Sequence, residues 1–224
     1  MTTGVTAPRG FRAAGVKAGL KDDDLDLALL VADRTCAAAG VFTTSRTAAP
    51  PVAVAREHLA SGRARAVVVN SGCANAATGP PGLADADEMT DLAAQVAECT
   101  PGEVVVASTG VIGVRLPMDR VRSGIAQAGR ELSPEGGADA ARAIMTTDTK
   151  PKEASTEVSL GGVTCRVGGM AKGAGMIAPN MATMLAFFTT DATIDSPRLH
   201  RALVAAVGES LNRITVDGDT STND

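Results

Sequence analysis

Apolar residues along the chain gather in short runs of strand length, set apart by glycine, proline and polar clusters. Residues 25–31 and 37–43 are two such runs, and Asp33-Arg34 between them predicts a turn joining two strands. ARAVVVN (64–70) is a β-branched run that ends in Asn70-Ser71-Gly72, and EVVVA (103–107) ends in Ser108-Thr109-Gly110. Pro80-Pro81-Gly82 predicts a loop, after which residues 84–99 carry apolar side chains at helical spacing. Residues 118–130 and 138–145 predict two further helices, and residues 153–167 alternate about Gly161-Gly162, a two-residue hairpin turn. MLAFFTT (184–190) is apolar and β-prone, which predicts a core strand. Ser196-Pro197 then opens a helix, with Ser196 as N-cap, running to about residue 212. Strands and helices intermingled along the whole length place the chain in the α/β class.

Composition narrows the function classes. The 224 residues suffice for a sizeable core, yet they include four Phe, no Trp and no Tyr. Such a core must be filled by Ala, Val, Leu, Ile and Met, and few aromatic platforms exist on which bases could stack. With a net charge of −4 there is no basic footprint for phosphate backbones, so nucleic acid is set aside as a partner. Cys36, Cys73, Cys99 and Cys165 form no CxxC pair and no zinc pattern, and read as reduced core residues; no metal site is expected. No stretch approaches the roughly 18 continuous apolar residues of a membrane span, and MTTGVTAPRGF lacks a signal-peptide pattern. The expectation is a cytoplasmic protein without a membrane partner.

Common catalytic constellations are missing. There is no GxSxG, HExxH or Walker sequence, and His58 and His200 read as solvated residues on helices. Asp217-Gly218-Asp219 faintly resembles a calcium loop, but Thr222 occupies the place of the turn glycine. Three segments rich in hydroxyls and small residues remain. GGMAKGAGMIAPNMATML (168–185) is glycine-rich, turns at Pro179-Asn180, and sets Thr183 at the mouth of an apolar strand. Ser108-Thr109-Gly110 ends a strand, where a hydroxyl and backbone N–H groups can converge on an anion. Met145-Thr146-Thr147-Asp148 follows a helix. Taken one at a time, each is better explained as turn or strand-cap chemistry.

Taken together they carry more. NSGCANAATG (70–79), STGVIG (108–113), IMTTDT (144–149), KGAGMIAPNMATML (172–185) and DGDTSTND (217–224), in this order, resemble the ornithine acetyltransferase (ArgJ) family. These are the glutamate N-acetyltransferases of arginine biosynthesis. The resemblance implies a layered α-β-β-α sandwich of the ArgJ/aminopeptidase type, with an active site like that of N-terminal-nucleophile hydrolases. It implies self-cleavage of the Ala182–Thr183 bond, with Thr183 as nucleophile and Thr109 and Gly110 as the oxyanion hole. Thr146, Lys172 and Thr183 match positions that contact substrate. Residues 1–182 would then be the α-chain, and 183–224 the start of a β-chain that looks truncated.

The implied chemistry suits these residue types. Attack by the Thr183 hydroxyl on the Ala182 carbonyl gives an ester, whose hydrolysis frees the Thr183 α-amino group. That amine, with an unperturbed pKa of roughly 7.7–8.0, can serve as the base for its own hydroxyl. Acetyl would pass from N2-acetylornithine to Thr183 and on to glutamate, without a cofactor. Whether acetyl-CoA is also accepted as co-substrate is left open by these residues. The family also implies that the cleaved pieces associate and pair into homo-oligomers. Two other readings stand beside this one: a related amidase or aminopeptidase, disfavoured by Thr rather than Ser at position 183, and an inactive fragment that needs further residues.

Overall fold

The structure, a computed structural model, describes residues 4–178 and 184–223. A buried 3-10 turn, Gly4–Thr6, precedes a first sheet of four strands: β1 (Phe11–Val16), β2 (Leu27–Ala37), β3 (Arg63–Cys73) and β4 (Val104–Val111). They lie in sequence order, antiparallel except for the parallel β3/β4 pair. A parallel pair needs a crossover, and helix α2 (Gly79–Ala97) supplies it. Between β2 and β3 lies helix α1 (Pro50–Leu59). Helices α3 (Met118–Glu131) and α4 (Gly137–Ala143) follow β4. A second, antiparallel sheet takes the order β5 (Lys152–Leu160), β6 (Val163–Lys172), β7 (Leu185–Thr190), and helix α5 (Ser196–Glu209) comes last.

Strand alternation sorts the first sheet into two faces. Val16, Leu27, Leu29, Val31, Val68, Val104 and Val106 point to one side, where Met89, Ala93 and Ala97 of α2 and Val121, Ile125 and Ala128 of α3 cover them. Ala13, Ala28, Leu30, Val69 and Ala107 point to the other, meeting Met170 of β6, Leu185 of β7 and the alanines of α4. The second sheet thus lies against the inner face of the first, which gives the layered α/β sandwich. Alanine and valine supply most of these contacts, side chains small enough for the elements to pack closely.

Local expectations agree with the structure in most places and differ in several. The turn at Asp33-Arg34 does not form: β2 runs straight through it, with a register shift between Val31 and Cys36 that leaves both residues exposed. Residues 38–43 consequently form no strand. β1, short and interrupted by Gly15, has no strong apolar pattern. Pro80-Pro81-Gly82 is not a loop but the first turn of α2, where prolines fit because their missing N–H groups would have no helical partner. The N-cap of α5 is Asp195, whose carboxylate accepts from the Arg198 N–H at 2.9 Å, and the helix gives way to a 3-10 turn, Leu211–Arg213.

Candidate active site

β3 and β4 continue side by side beyond the core. Ser71 pairs with Thr109 and Gly72 with Gly110, and the register breaks at Cys73. This is where glycine is required twice. A Cβ on Gly110, whose φ is +133°, would lie 2.3 Å from the Gly72 carbonyl carbon and 2.6 Å from the Cys73 nitrogen. A Cβ on Gly72, at φ +97°, would lie 2.7 Å from the Leu20 carbonyl oxygen. The two strand ends and the loop at residues 17–26 are therefore in backbone contact. That loop is wound around Asp26, a fully buried carboxylate that accepts the N–H groups of Ala18, Gly19, Leu20 and Lys21.

On the inner face, two hydroxyls lead away from these strand ends. Ser71 Oγ donates to the Ala143 carbonyl at 2.6 Å, fixing the end of α4 just ahead of Met145-Thr146. Thr109 Oγ1 accepts from Lys172 Nζ at 3.0 Å. Lys172, the last residue of β6, is 3% exposed and pairs with Leu185 at the start of β7. A buried ammonium that donates to the Thr109 oxygen leaves the Thr109 proton to point elsewhere, as an anion-stabilising donor must.

Asp148 joins Thr146 to Lys172. Its side chain is inaccessible to solvent; Oδ1 accepts from the Gly173 N–H at 2.9 Å and from Lys152 Nζ, and Oδ2 from the Thr146 N–H at 3.4 Å. Burial opposes ionisation of Asp148, but the Lys152 ammonium and the two N–H donors outweigh it and hold the carboxyl below its ordinary range. Lys21 spans the other side, with its stem against Gly72 and its Nζ donating to the Met145 carbonyl at 3.0 Å. Partial burial lowers the Lys21 pKa against the pull of Asp24 and Asp26.

Residues 217–223 close the cluster. Asn223 Nδ2 donates to the carbonyls of Ala74 and Ser108 at 2.6 and 2.9 Å, and Thr43 Oγ1 donates to the Ser221 carbonyl. Nearer the glycine-rich loop, Asp217 accepts from the N–H groups of Met176 and Ile177. All five segments singled out in the sequence thus meet in one place. Thr109, Gly110, Thr146 and Lys172 come together there; Ala182 and Thr183 lie outside the described residues.

Neither histidine takes part. His200 is exposed, whereas His58 is half-buried rather than solvated, its Nδ1 2.8 Å from the Val104 carbonyl, which ties α1 to β4. Cys73 borders the site, but burial pushes its thiol pKa up, away from the thiolate a nucleophile needs. Among the described residues no cluster of His, Cys, Asp and Glu could hold a metal ion, and no helix is long and apolar enough to cross a membrane. An open groove between α1 and α5, lined by Phe42, Arg56, Leu59 and His200, shares no residue with the site. Sequence reasoning did not single out Lys21 or Asp26, and it reached Asp148 only as the end of the TTD segment, without a role of its own. Asp26 was discoverable, as an acid set between Leu25 and Leu27 at the start of an apolar run.

Comparison with known proteins is consistent across its forms. A sequence model described as the ArgJ family matches residues 12–224. The arginine biosynthesis bifunctional protein ArgJ of Symbiobacterium thermophilum is 57% identical over 224 residues, an alignment that covers 99% of this chain and 56% of that protein. The chain therefore spans about half the length of the curated relatives it matches. The crystal structure of ornithine acetyltransferase from Mycobacterium tuberculosis in complex with ornithine superposes with a TM-score of 0.75 at 46% identity, covering 82% of this chain and 96% of that one. The L-aminopeptidase D-Ala-esterase/amidase of Ochrobactrum anthropi, a variant of the Ntn hydrolase fold, shares the fold at 14% identity and a TM-score of 0.57.

Proposed function

The chain belongs to the ArgJ family, and on that footing we propose that it is the N-terminal portion of an acetyltransferase that moves acetyl from N2-acetyl-L-ornithine to L-glutamate through an acetyl-threonine. The observation that carries the reading is the Lys172–Thr109 hydrogen bond at 3.0 Å beside the Gly72/Gly110 contact. It joins a buried cation, an oriented hydroxyl and a side-chain-free backbone turn, the parts a developing oxyanion requires.

In the proposed maturation the Thr183 hydroxyl oxygen bonds to the Ala182 carbonyl carbon, with Thr109 and Gly110 taking the negative charge on oxygen. The C–N bond then breaks, the departing nitrogen gains a proton, and an ester remains. Water hydrolyses it to a carboxylate on Ala182 and a free Thr183. In turnover the Thr183 amine accepts the hydroxyl proton as Oγ attacks the acetyl carbonyl of N2-acetylornithine, and the protonated ornithine amine departs. The amine of glutamate then attacks the acetyl ester and restores Thr183, completing a ping-pong cycle. The positive charge of Lys172 and the fixed Thr146 segment receive the substrate carboxylate. No cofactor enters this scheme, and acetyl-CoA would serve as an alternative acetyl donor to the same threonine.

The relatives' lengths support the cut. The M. tuberculosis chain is 96% matched by 82% of this one, so it is about as long as residues 1–182, whereas the curated relatives are nearly twice as long as the present chain. Residues 1–182 and 183 onward are thus proposed as α- and β-chains that stay associated and assemble into a homo-oligomer in the cytoplasm. Intact mass of the full-length protein tests the scheme directly. Two species divided at Ala182–Thr183, and a single uncut species in Thr183→Ala, are expected; a wild-type protein that transfers acetyl while uncut would refute it.

A further inference from the structure

The glycine-rich loop that leads towards the proposed cut is held by a turn from the other side of that cut. Asp217 Oδ2 accepts the Met176 N–H at 2.6 Å, and Oδ1 accepts the Ile177 N–H at 2.8 Å and the Asp219 N–H at 3.2 Å. The Ile177 carbonyl accepts in turn from the N–H groups of Val216 and Gly218, at 2.8 and 3.4 Å, and from Thr215 Oγ1 at 3.3 Å. Both backbone polar groups of Ile177 are therefore taken by residues 215–218, and the residue is 1% exposed. Met176 is meanwhile held at φ +59°, a left-handed conformation that residues other than glycine adopt only when their surroundings impose it. At its other end the same loop is pinned through the Gly173 N–H to Asp148.

We propose that Asp217 is a positioning residue for self-cleavage: through the Met176 and Ile177 amides it fixes the course of the loop that delivers the Ala182–Thr183 bond, so that the piece after the cut organises the piece before it. This rests on the cleavage reading above. Asp217 itself is exposed and contributes nothing to the core. Its contacts are charge-assisted bonds from backbone N–H groups, which fix direction more than they add burial. A loop with two glycines, Gly173 and Gly175, has many conformations of similar energy, and only a few of them present the scissile carbonyl to an attacking hydroxyl. The clamp selects among them.

The test follows processing of the full-length precursor by intact mass over time. Asp217→Ala is expected to slow cleavage at least tenfold, with Asp217→Asn intermediate because it keeps one acceptor oxygen. Asp219→Ala, which keeps the backbone N–H that Asp217 uses, should cleave at the wild-type rate. Melting temperatures measured on the same substitutions in the uncut Thr183→Ala background separate positioning from stability. A slowed Asp217→Ala whose melting temperature matches that of Asp219→Ala supports the inference. Cleavage of Asp217→Ala at the wild-type rate overturns it, whatever its melting temperature. Should Asp217→Ala fail to fold, Asp217→Asn decides by the same criterion. A wild-type precursor that is never cut at Ala182–Thr183 refutes the cleavage reading and this inference with it.

Discussion

Replacing Asp148 with alanine removes the acceptor shared by three donors. Lys152 is 41% exposed and can turn to water, so its loss costs little. The Gly173 N–H, in a buried residue, has no such recourse, and an orphaned buried donor costs about 1–3 kcal/mol. The Thr146 N–H, held at 3.4 Å and only half-buried, adds a few tenths at most. The void left by a solvent-inaccessible carboxylate brings the sum for Asp148→Ala to about 2–4 kcal/mol, and for the isosteric Asp148→Asn to about 1–2 kcal/mol. A domain with about 5–15 kcal/mol of stability stays folded after either change. Urea unfolding of the uncut Thr183→Ala protein should show a lower midpoint with an unchanged slope. The pH dependence carries a sign. The folded-state pKa of Asp148 is depressed, so its contribution is present above the unfolded value of about 3.9 and is lost as pH falls through the folded value. The gap between wild type and Asp148→Asn should therefore be full at neutral pH and close in acid. A midpoint for Asp148→Ala within about 0.5 kcal/mol of wild type would refute the account of the carboxylate as a shared acceptor.

Two further outcomes follow from the same cluster. Gly110→Ala drives a Cβ to within 2.3 Å of the Gly72 carbonyl carbon at a positive φ, and should cost about 2–5 kcal/mol by forcing β3 and β4 apart, with cleavage abolished; normal cleavage at unchanged stability would contradict it. Lys172→Met keeps the stem and removes the donor to Thr109, so acetyl transfer should fall by about 10²–10³ in kcat, the scale of a lost oxyanion-hole contribution. An effect confined to KM would instead assign Lys172 to substrate binding alone.

Much of this protein was legible in its residues. Periodicity located β3 and β4 through their β-branched runs, α3 through its apolar spacing, and the β5–β6 hairpin through Gly161-Gly162, because each of these signals is local. The same local reasoning failed at Asp33-Arg34, where two polar residues sit in the middle of a strand at an irregular edge of the pairing with β3. It failed again at Pro80-Pro81, where breakers inside a helix become favourable once they fall in its first turn. Three hydroxyl- and glycine-rich segments could be picked out from the residues alone; with residues 70–79 and 217–224 beside them in order, their joint resemblance named a family.

What the sequence could not determine is how those segments touch. That Lys172 is buried against Thr109, that Asp148 ties Thr146 to Gly173, and that Asp217 grips Met176 and Ile177 all depend on contacts between residues tens of positions apart. Chain patterning records which face of an element is apolar. The partners of a lysine or an aspartate are chosen only when the elements close on one another, because a polar group taken from water must find donors or acceptors among whatever the fold brings beside it.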